Sequence, residues 1–302
     1  MYTPLPKDNK PMKAQLALAL AVLIGQISIT VTGAIVRVTG SGLGCDTWPN
    51  CHPGSLVPVQ GAAPALHQAI EFGNRGLAIV LGLITVALLV AVYAGKRRSL
   101  IKLHAWYQVI GVVIQGVIGG ISVHLDLKWW AVALHFLPSM ILIWLAVLLY
   151  EHVKAPDEGV DEWHYPRPLR LLAVGSAVAL AGVLTTGTMV TGAGVHSGDA
   201  GDGMEGRLEV DIAEMAHIHA HFMYLYLGLT IGLVVALLTV KASQKAMKLG
   251  YLLIAFIVVQ AAVGIIQYWF GIPRWTVPFH VGLSGVVTAY TALLYAAGRV
   301  RS

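Results

Sequence analysis

Charged residues are scarce in this sequence: they make up 12% of its 302 residues, against 57% hydrophobic ones. Together with a mean hydropathy of +0.72, that scarcity excludes an ordinary soluble domain, in which about a quarter of residues are charged. Cysteine is scarcer still, with only Cys45 and Cys51, both in GCDTWPNC. A structural zinc site wants four ligands, and the pair has only Asp46 and His52 beside it, so zinc is the lesser reading. No small-residue cleavage site follows the first apolar run, which therefore reads as a retained helix and not as a signal peptide. GSGLG (40–44) lacks the following Lys-Ser/Thr of a phosphate loop.

What the chain has in abundance is long apolar runs. Eight of them, at roughly 14–36, 66–94, 103–123, 129–150, 169–191, 213–240, 247–270 and 275–298, reach the ~20 residues needed to cross a bilayer core. The fold class expected is an all-α polytopic membrane protein. Orientation follows from Lys and Arg, which gather on the cytoplasmic side. Fifteen of them fall at the N-terminus, 96–102, 151–170, 241–248 and the C-terminus, whereas the opposite loops hold only Lys128, Arg207 and Arg274. Both termini are therefore expected in the cytoplasm, in a multi-pass protein of the cell membrane. The pI near 9.2 is a topology signal and gives no reason to invoke nucleic acid. Cys45 and Cys51 then lie outside, where a close pair tends to oxidise to a disulfide; a structural staple and a redox-active pair both remain open.

The chain also repeats itself. WWAVALHFLPS (129–139) aligns with RWTVPFHVGLS (274–284), pairing His135 with His280 at an offset of 145 residues. VIQGVIGGI (113–121) aligns with VVQAAVGII (258–266) at the same offset, and TGAIVRVTGSG (32–42) resembles TGTMVTGAG (186–194). Two tandem four-helix halves, 1–155 and 156–302, are expected. With four helices between equivalent positions, the halves share orientation about an axis along the membrane normal.

Carried onto the second and sixth segments, the offset pairs Asn74 with His219. Asn74, His135, His219 and His280 then share one layer, roughly 8–12 Å below the outer boundary at 1.5 Å per residue. Inward-facing imidazoles at one height on neighbouring helices suit the axial positions of haem iron. Ligation is the better reading for His135 and His280, because the repeat places them alike. HIHAH (217–221) also offers His217 and His221; His219 is preferred, with His217 as fallback. The histidines at 52, 104, 124, 152, 164 and 196 fall in loops or at helix ends and read as solvated.

HQAIEFGNRG (67–76) puts His67, Glu71, Asn74 and Arg75 at the head of an apolar helix. A charge at that depth costs a few kcal/mol without a partner. Glu71 reads structurally as an ion pair with Arg75 or Arg37, or a hydrogen bond to His67. Functionally it reads as a carboxylate in a low-dielectric pocket, suited to proton transfer or charge stabilisation. Arg37 and Arg75 suit haem propionates or the neutralisation of Glu71.

TGSGLGCDTWPNC, then IEFGNR, then histidines on the fourth, sixth and eighth segments resemble the haem A synthase family across essentially the whole chain. The resemblance implies an oxidoreductase that converts the C8 methyl of haem O to the formyl of haem A for the terminal oxidase. It implies haem b on His219 and His280 in the C-terminal half, and haem O as substrate in the N-terminal half. Glu71 is the implied catalytic carboxylate and Cys45–Cys51 the implied disulfide; haem O synthase, membrane lipid and a second copy of the chain are candidate partners, and the electron acceptor stays open. Two departures stand out. Many family members carry histidine where this chain has Asn74, so iron in the N-terminal half is expected to be five-coordinate through His135 or ligated by His67. The second external loop, which some relatives staple with cysteines, has none here; its acidic residues, Asp199, Asp202, Glu205, Glu209 and Asp211, read as a solvated lid. A bis-His membrane cytochrome passing quinol electrons, and a haem transporter or chaperone, are the competing readings; no apolar run is broken midway, as many transporter helices are.

Overall fold

The apolar runs fold as helices because a backbone in lipid must satisfy its own polar groups. A computed structural model of the chain describes residues 10–194 and 206–301. Lys7, His196, Asp199, Asp202 and Glu205 lie outside the described residues. Its elements are α1 (Lys10–Val38), α2 (Ala65–Ala94), α3 (Ser99–His124), α4 (Trp129–Lys154), β1 (Asp161–Trp163), α5 (Arg167–Ala193), α6 (Ile212–Thr239), α7 (Gln244–Trp269), α8 (Thr276–Ala296) and β2 (Arg299–Arg301). All eight helices are long and apolar enough to cross a membrane, so the chain is an all-α, multi-pass membrane protein. Their ends carry expected signals: Asp211 caps α6 by accepting from the Glu214 amide at 2.9 Å, and Ser243 caps α7.

Packing follows the repeat. Around each half the helices close in a ring, α1–α2–α3–α4–α1 and α5–α6–α7–α8–α5. The rings meet through α4 against α8, flanked by α1 against α8 and α4 against α5, an arrangement that maps onto itself when the halves are exchanged. The turns repeat as well. Lys96 and Lys241 both have φ of 50°, and Leu127 and Ile272 have φ of 56° and 58°. Left-handed backbone is unusual for such residues, so its recurrence at an offset of 145 marks shared architecture.

Polarity runs inward. Ile79, Leu83, Val113 and Val178 face outward, while Gln15, Gln26, Gln108 and Thr230 are buried. The Gln26 amide donates to Gln108 Oε1 at 3.0 Å, and Gln108 donates to the Leu142 carbonyl at 3.1 Å, tying α1, α3 and α4 together. At the basic end the 151–170 loop carries ordered structure. β1 pairs with β2 in antiparallel register, and buried Arg97 donates to Asp157, Gln15 and the carbonyls of Val153 and Ala155. A long arginine can knit four segments where a lysine cannot, because its planar head carries five donors.

Candidate functional site

Three of the histidines in the expected layer stand on helices that occupy diagonal corners of their rings. His135 is on α4, with α2 at the opposite corner; His219 on α6 and His280 on α8 also stand at opposite corners, since neither α2·α4 nor α6·α8 is a packed pair. Glycines seat the rings. A Cβ on Gly119 of α3 would lie 3.2 Å from His135 Cε1, one on Gly264 of α7 would lie 3.5 Å from His280 Cε1, and one on Gly187 of α5 would lie 3.2 Å from His219 Cε1. The ring nitrogens are sorted as well. His219 Nδ1 lies 3.0 Å from the Val183 carbonyl and 3.1 Å from Thr186 Oγ1. Nδ1 of His135 and His280 is sealed inside the protein. Nε2 is thus the nitrogen each ring leaves open. Nε2 groups on opposite corners, with small residues beside them, fit a planar macrocycle whose iron takes axial imidazoles. Among the described residues no cluster of three or more His, Cys, Asp or Glu could hold a bare metal ion.

The N-terminal half departs from this at one residue. Asn74 Oδ1 accepts from Thr32 Oγ1 at 2.7 Å, and Thr32 also lies 3.1 Å from the Ile29 carbonyl. Thr32 and Ile29 correspond to Thr186 and Val183 under the TGAIV/TGTMV alignment, so Asn74 Oδ1 takes the place of His219 Nδ1. Gly33 corresponds to Gly187, yet a Cβ there would meet nothing within 4 Å. The support for a histidine is present and the imidazole is absent. Thr32, Ile35, Ile70, Gly73, Asn74 and Leu77 line a groove of about 410 Å³ on the α1–α2 face.

Above this layer lies the disulfide loop. Cys45 and Cys51 are bonded to each other and fully buried. Glu71 is buried beneath them; its Oε2 accepts from the Cys45 amide at 2.7 Å and its Oε1 from Arg75 Nη2 at 2.6 Å. Arg75 spends its other donors on the carbonyls of Cys45, Thr47 and Asn50, at 2.9–3.0 Å. Of the partners weighed for Glu71, the structure selects Arg75, one helical turn away; the pair clamps the loop to α2. Arg37, at the end of α1, reaches across the halves to the Thr191 carbonyl at 3.1 Å. Trp48 packs so closely on Gly120 of α3 that a Cβ there would collide with the indole.

Some expectations need revision. His52, read as solvated, is buried between Asp46 at 2.8 Å and Gln68 at 3.0 Å. Gln68 also bonds Val59 and Ala63, fastening the rest of the loop to α2. The Gln68 bond and the nearby Asp46 carboxylate raise the His52 pKa against the effect of burial. His104 is also buried, its ring 4.9 Å from that of His152. Both burials arise from loop folding and interhelical packing, which short motifs do not encode. His217 and His221 are exposed, and His217 lies near Tyr268. His67 is half-buried with its backbone against Gly44, so it stands level with the loop, about 10 Å above Asn74 along the helix. Thr32 and Thr186 were visible in the aligned TGAIV and TGTMV stretches, but their contact with the layer was not.

The sequence profile of the cytochrome oxidase assembly protein family matches residues 16–292. The chain is 34% identical over 136 residues to the Heme A synthase of Exiguobacterium sp. strain AT1b, covering 43% of this chain and 44% of that protein. It is 33% identical over 166 residues to the Heme A synthase of Exiguobacterium sibiricum, covering 54% of each chain. Against the Heme A synthase of Bacillus licheniformis it is 28% identical over 188 residues, covering 60% of this chain and 59% of that one. The chain thus spans about half the length of the curated relatives it matches.

Proposed function

This chain belongs to the cytochrome oxidase assembly family that includes the haem A synthases, and we propose that it is itself a haem A synthase. Its substrate would be haem O, delivered within the membrane by haem O synthase, and its product haem A. Oxidising the C8 methyl to a formyl with water as oxygen source releases four protons and four electrons, the electrons passing one at a time to a separate electron acceptor outside this chain. The N-terminal half (1–155) would hold the substrate and the C-terminal half (156–302) would hold haem b on His219 and His280. Haem b, when bound, supplies one-electron redox capacity.

The chain's own residues divide the remaining work. His135 offers one imidazole to the substrate iron, while Asn74 opposite it supplies an amide already engaged by Thr32. Glu71 lies one turn above Asn74, roughly 4–5 Å along the helix axis. Its carboxylate is held by Arg75 and the Cys45 amide, so it is placed before positive charge develops at the methyl carbon; such preorganised charge is worth most where water is excluded. Arg75 is held by Glu71 and the loop and Arg37 by the Thr191 carbonyl, so a propionate would share whichever guanidinium it meets with those partners. The basic residues at the termini and at 96–102 support a cell-membrane protein with both ends in the cytoplasm.

One observation carries this reading: the two halves repeat each other, yet one presents two opposed imidazoles and the other an imidazole opposite an amide. An electron-passing cytochrome has no use for that inequality. An absorption and mass-spectrometric inventory of the pigments in the purified protein tests it. Haem b together with haem O, haem A or a hydroxylated intermediate is expected. Haem b alone would favour the cytochrome, and no tightly held haem would favour transport.

A further inference from the structure

Among the described residues, four buried side-chain atoms near the imidazole layer have no hydrogen-bond partner: Gln115 Oε1, His135 Nδ1, Gln260 Oε1 and His280 Nδ1. They form two pairs related by the offset of 145 residues, each an acceptor and a nitrogen that can donate. The glutamines also act alike. Gln115 Nε2 donates to the His135 carbonyl at 2.8 Å, and Gln260 Nε2 to the His280 carbonyl at 3.0 Å. Gln115 Nε2 lies against Ser139 Oγ as well. These carbonyl contacts orient the amides, since only the NH2 end can face a C=O. Each glutamine stands one turn before the glycine on which the imidazole rests, Gln115 before Gly119 and Gln260 before Gly264.

A buried donor or acceptor left unmade is destabilising, and the same cost twice over, at equivalent places, points to a shared purpose. We propose that Gln115 and Gln260 are positioning residues for the axial histidines. Each amide oxygen accepts, through one bridging water, from the Nδ1–H of its histidine. That acceptance fixes the tautomer with Nε2 unprotonated and presented to iron, and it raises the basicity of the ligand. His219 achieves the same end differently, through the Val183 carbonyl and Thr186. The inference rests on the haem reading above and adds to it the residues that tune the ligands.

The test is the midpoint potential of haem b in the purified holoprotein. Gln260→Met keeps the volume and removes the acceptor. A less basic ligand favours ferrous iron, so the potential should rise by about 59 mV, a tenfold change in relative affinity for a one-electron couple. Gln260→Glu strengthens the acceptor and should lower the potential, moving the low-spin ferric resonances toward those of an imidazolate ligand. Gln115→Met should leave the haem b potential unchanged and alter the substrate haem alone. A purely structural glutamine would lose haem in both Gln260 variants without shifting the potential of what remains, and that result overturns the assignment. Should Gln260→Met fail to fold, unshifted resonances in Gln260→Glu overturn it. Wild-type protein devoid of haem would instead overturn the underlying reading.

Discussion

Arg75→Met removes a guanidinium whose four donors hold the carbonyls of Cys45, Thr47 and Asn50 and the Glu71 carboxylate. The side chain is 19% exposed and Glu71 6%, so little water is at hand to replace those bonds. Breaking a buried pair by removing one partner costs about 3–5 kcal/mol. The lower end applies here, because Arg75 is partly exposed and Glu71 keeps the Cys45 amide. The bundle has its own packing, so the loss should fall on the loop alone. About 3 kcal/mol at about 1.4 kcal/mol per decade raises the loop-opening constant somewhat more than a hundredfold. Cys45 and Cys51 are fully buried, so a phosphine reductant reaches them only through that opening. Reduction of the disulfide, followed by alkylation and mass spectrometry, should therefore accelerate by about that factor, and the Cys45 amide should exchange faster in step. Glu71→Gln keeps one acceptor oxygen but turns an NH2 toward the other N–H donor, so it should also accelerate reduction, by the about 1–3 kcal/mol of one unmade buried bond. An Arg75→Met protein reduced no faster than wild type would refute the clamp.

Asn74→His places an imidazole over the open face of Gly33 and should convert the N-terminal haem to a six-coordinate, low-spin form; an unchanged spectrum would mean that the half is not built as the repeat indicates. Thr186→Val removes one partner of His219 Nδ1 and should weaken haem b retention about 10–100-fold, as lost outer contacts to a ligand do, measured by haem transfer to an apoprotein acceptor. Gly119→Ala puts a Cβ 3.2 Å from the His135 ring and should reduce haem O binding, whereas Gly33→Ala meets nothing within 4 Å and should leave binding intact. His52 has a raised pKa through Gln68 and Asp46, so its hold on the loop is complete below the ordinary imidazole value of about 6.5 and is lost as pH climbs through the raised one. The ratio of wild-type to His52→Gln disulfide reduction rates should accordingly rise with pH above about 6.5.

The helices were legible because apolar length is a strong signal: the expected run 66–94 is α2, Ala65–Ala94, and 213–240 is α6, Ile212–Thr239. The histidine layer was legible only because the chain carries its own comparison, one half against the other. Without the pairing of His135 with His280 neither would stand out from the ten other histidines. Glu71 was half legible. Its neighbour at i+4 was visible, but the Cys45 amide that takes the other oxygen comes from a loop 26 residues away, and loop conformation leaves no period in a sequence. Burial of His52 and the β1–β2 pairing at the basic end escaped for the same reason. Arg97, four of whose bonds reach 56 or more residues along the chain, looked like one more basic residue of a topology signal.

The single break in the duplication fits a division between residence and passage. A macrocycle held by two axial imidazoles leaves only when both bonds break, so on the proposed reading the C-terminal half would suit a resident group. A substrate must also depart as product, and every 1.4 kcal/mol of grip slows departure about tenfold. Asn74 lightens that grip at one point while keeping what surrounds it: Thr32 still offers its hydroxyl, Gly33 still leaves its face open, and His135 still rests on Gly119. The roof is lopsided in the same sense. Cys45, Glu71 and Arg75 are joined over the N-terminal half, and Glu71 and Arg75 stand on the helix that carries Asn74, so a buried carboxylate lies near the position where the proposed reading has one axial ligand fewer. Haem held by a single imidazole beneath a fixed carboxylate is more open to change than haem gripped from both sides, and that contrast between two copies of one bundle is the physical basis for assigning the chemistry to the N-terminal half.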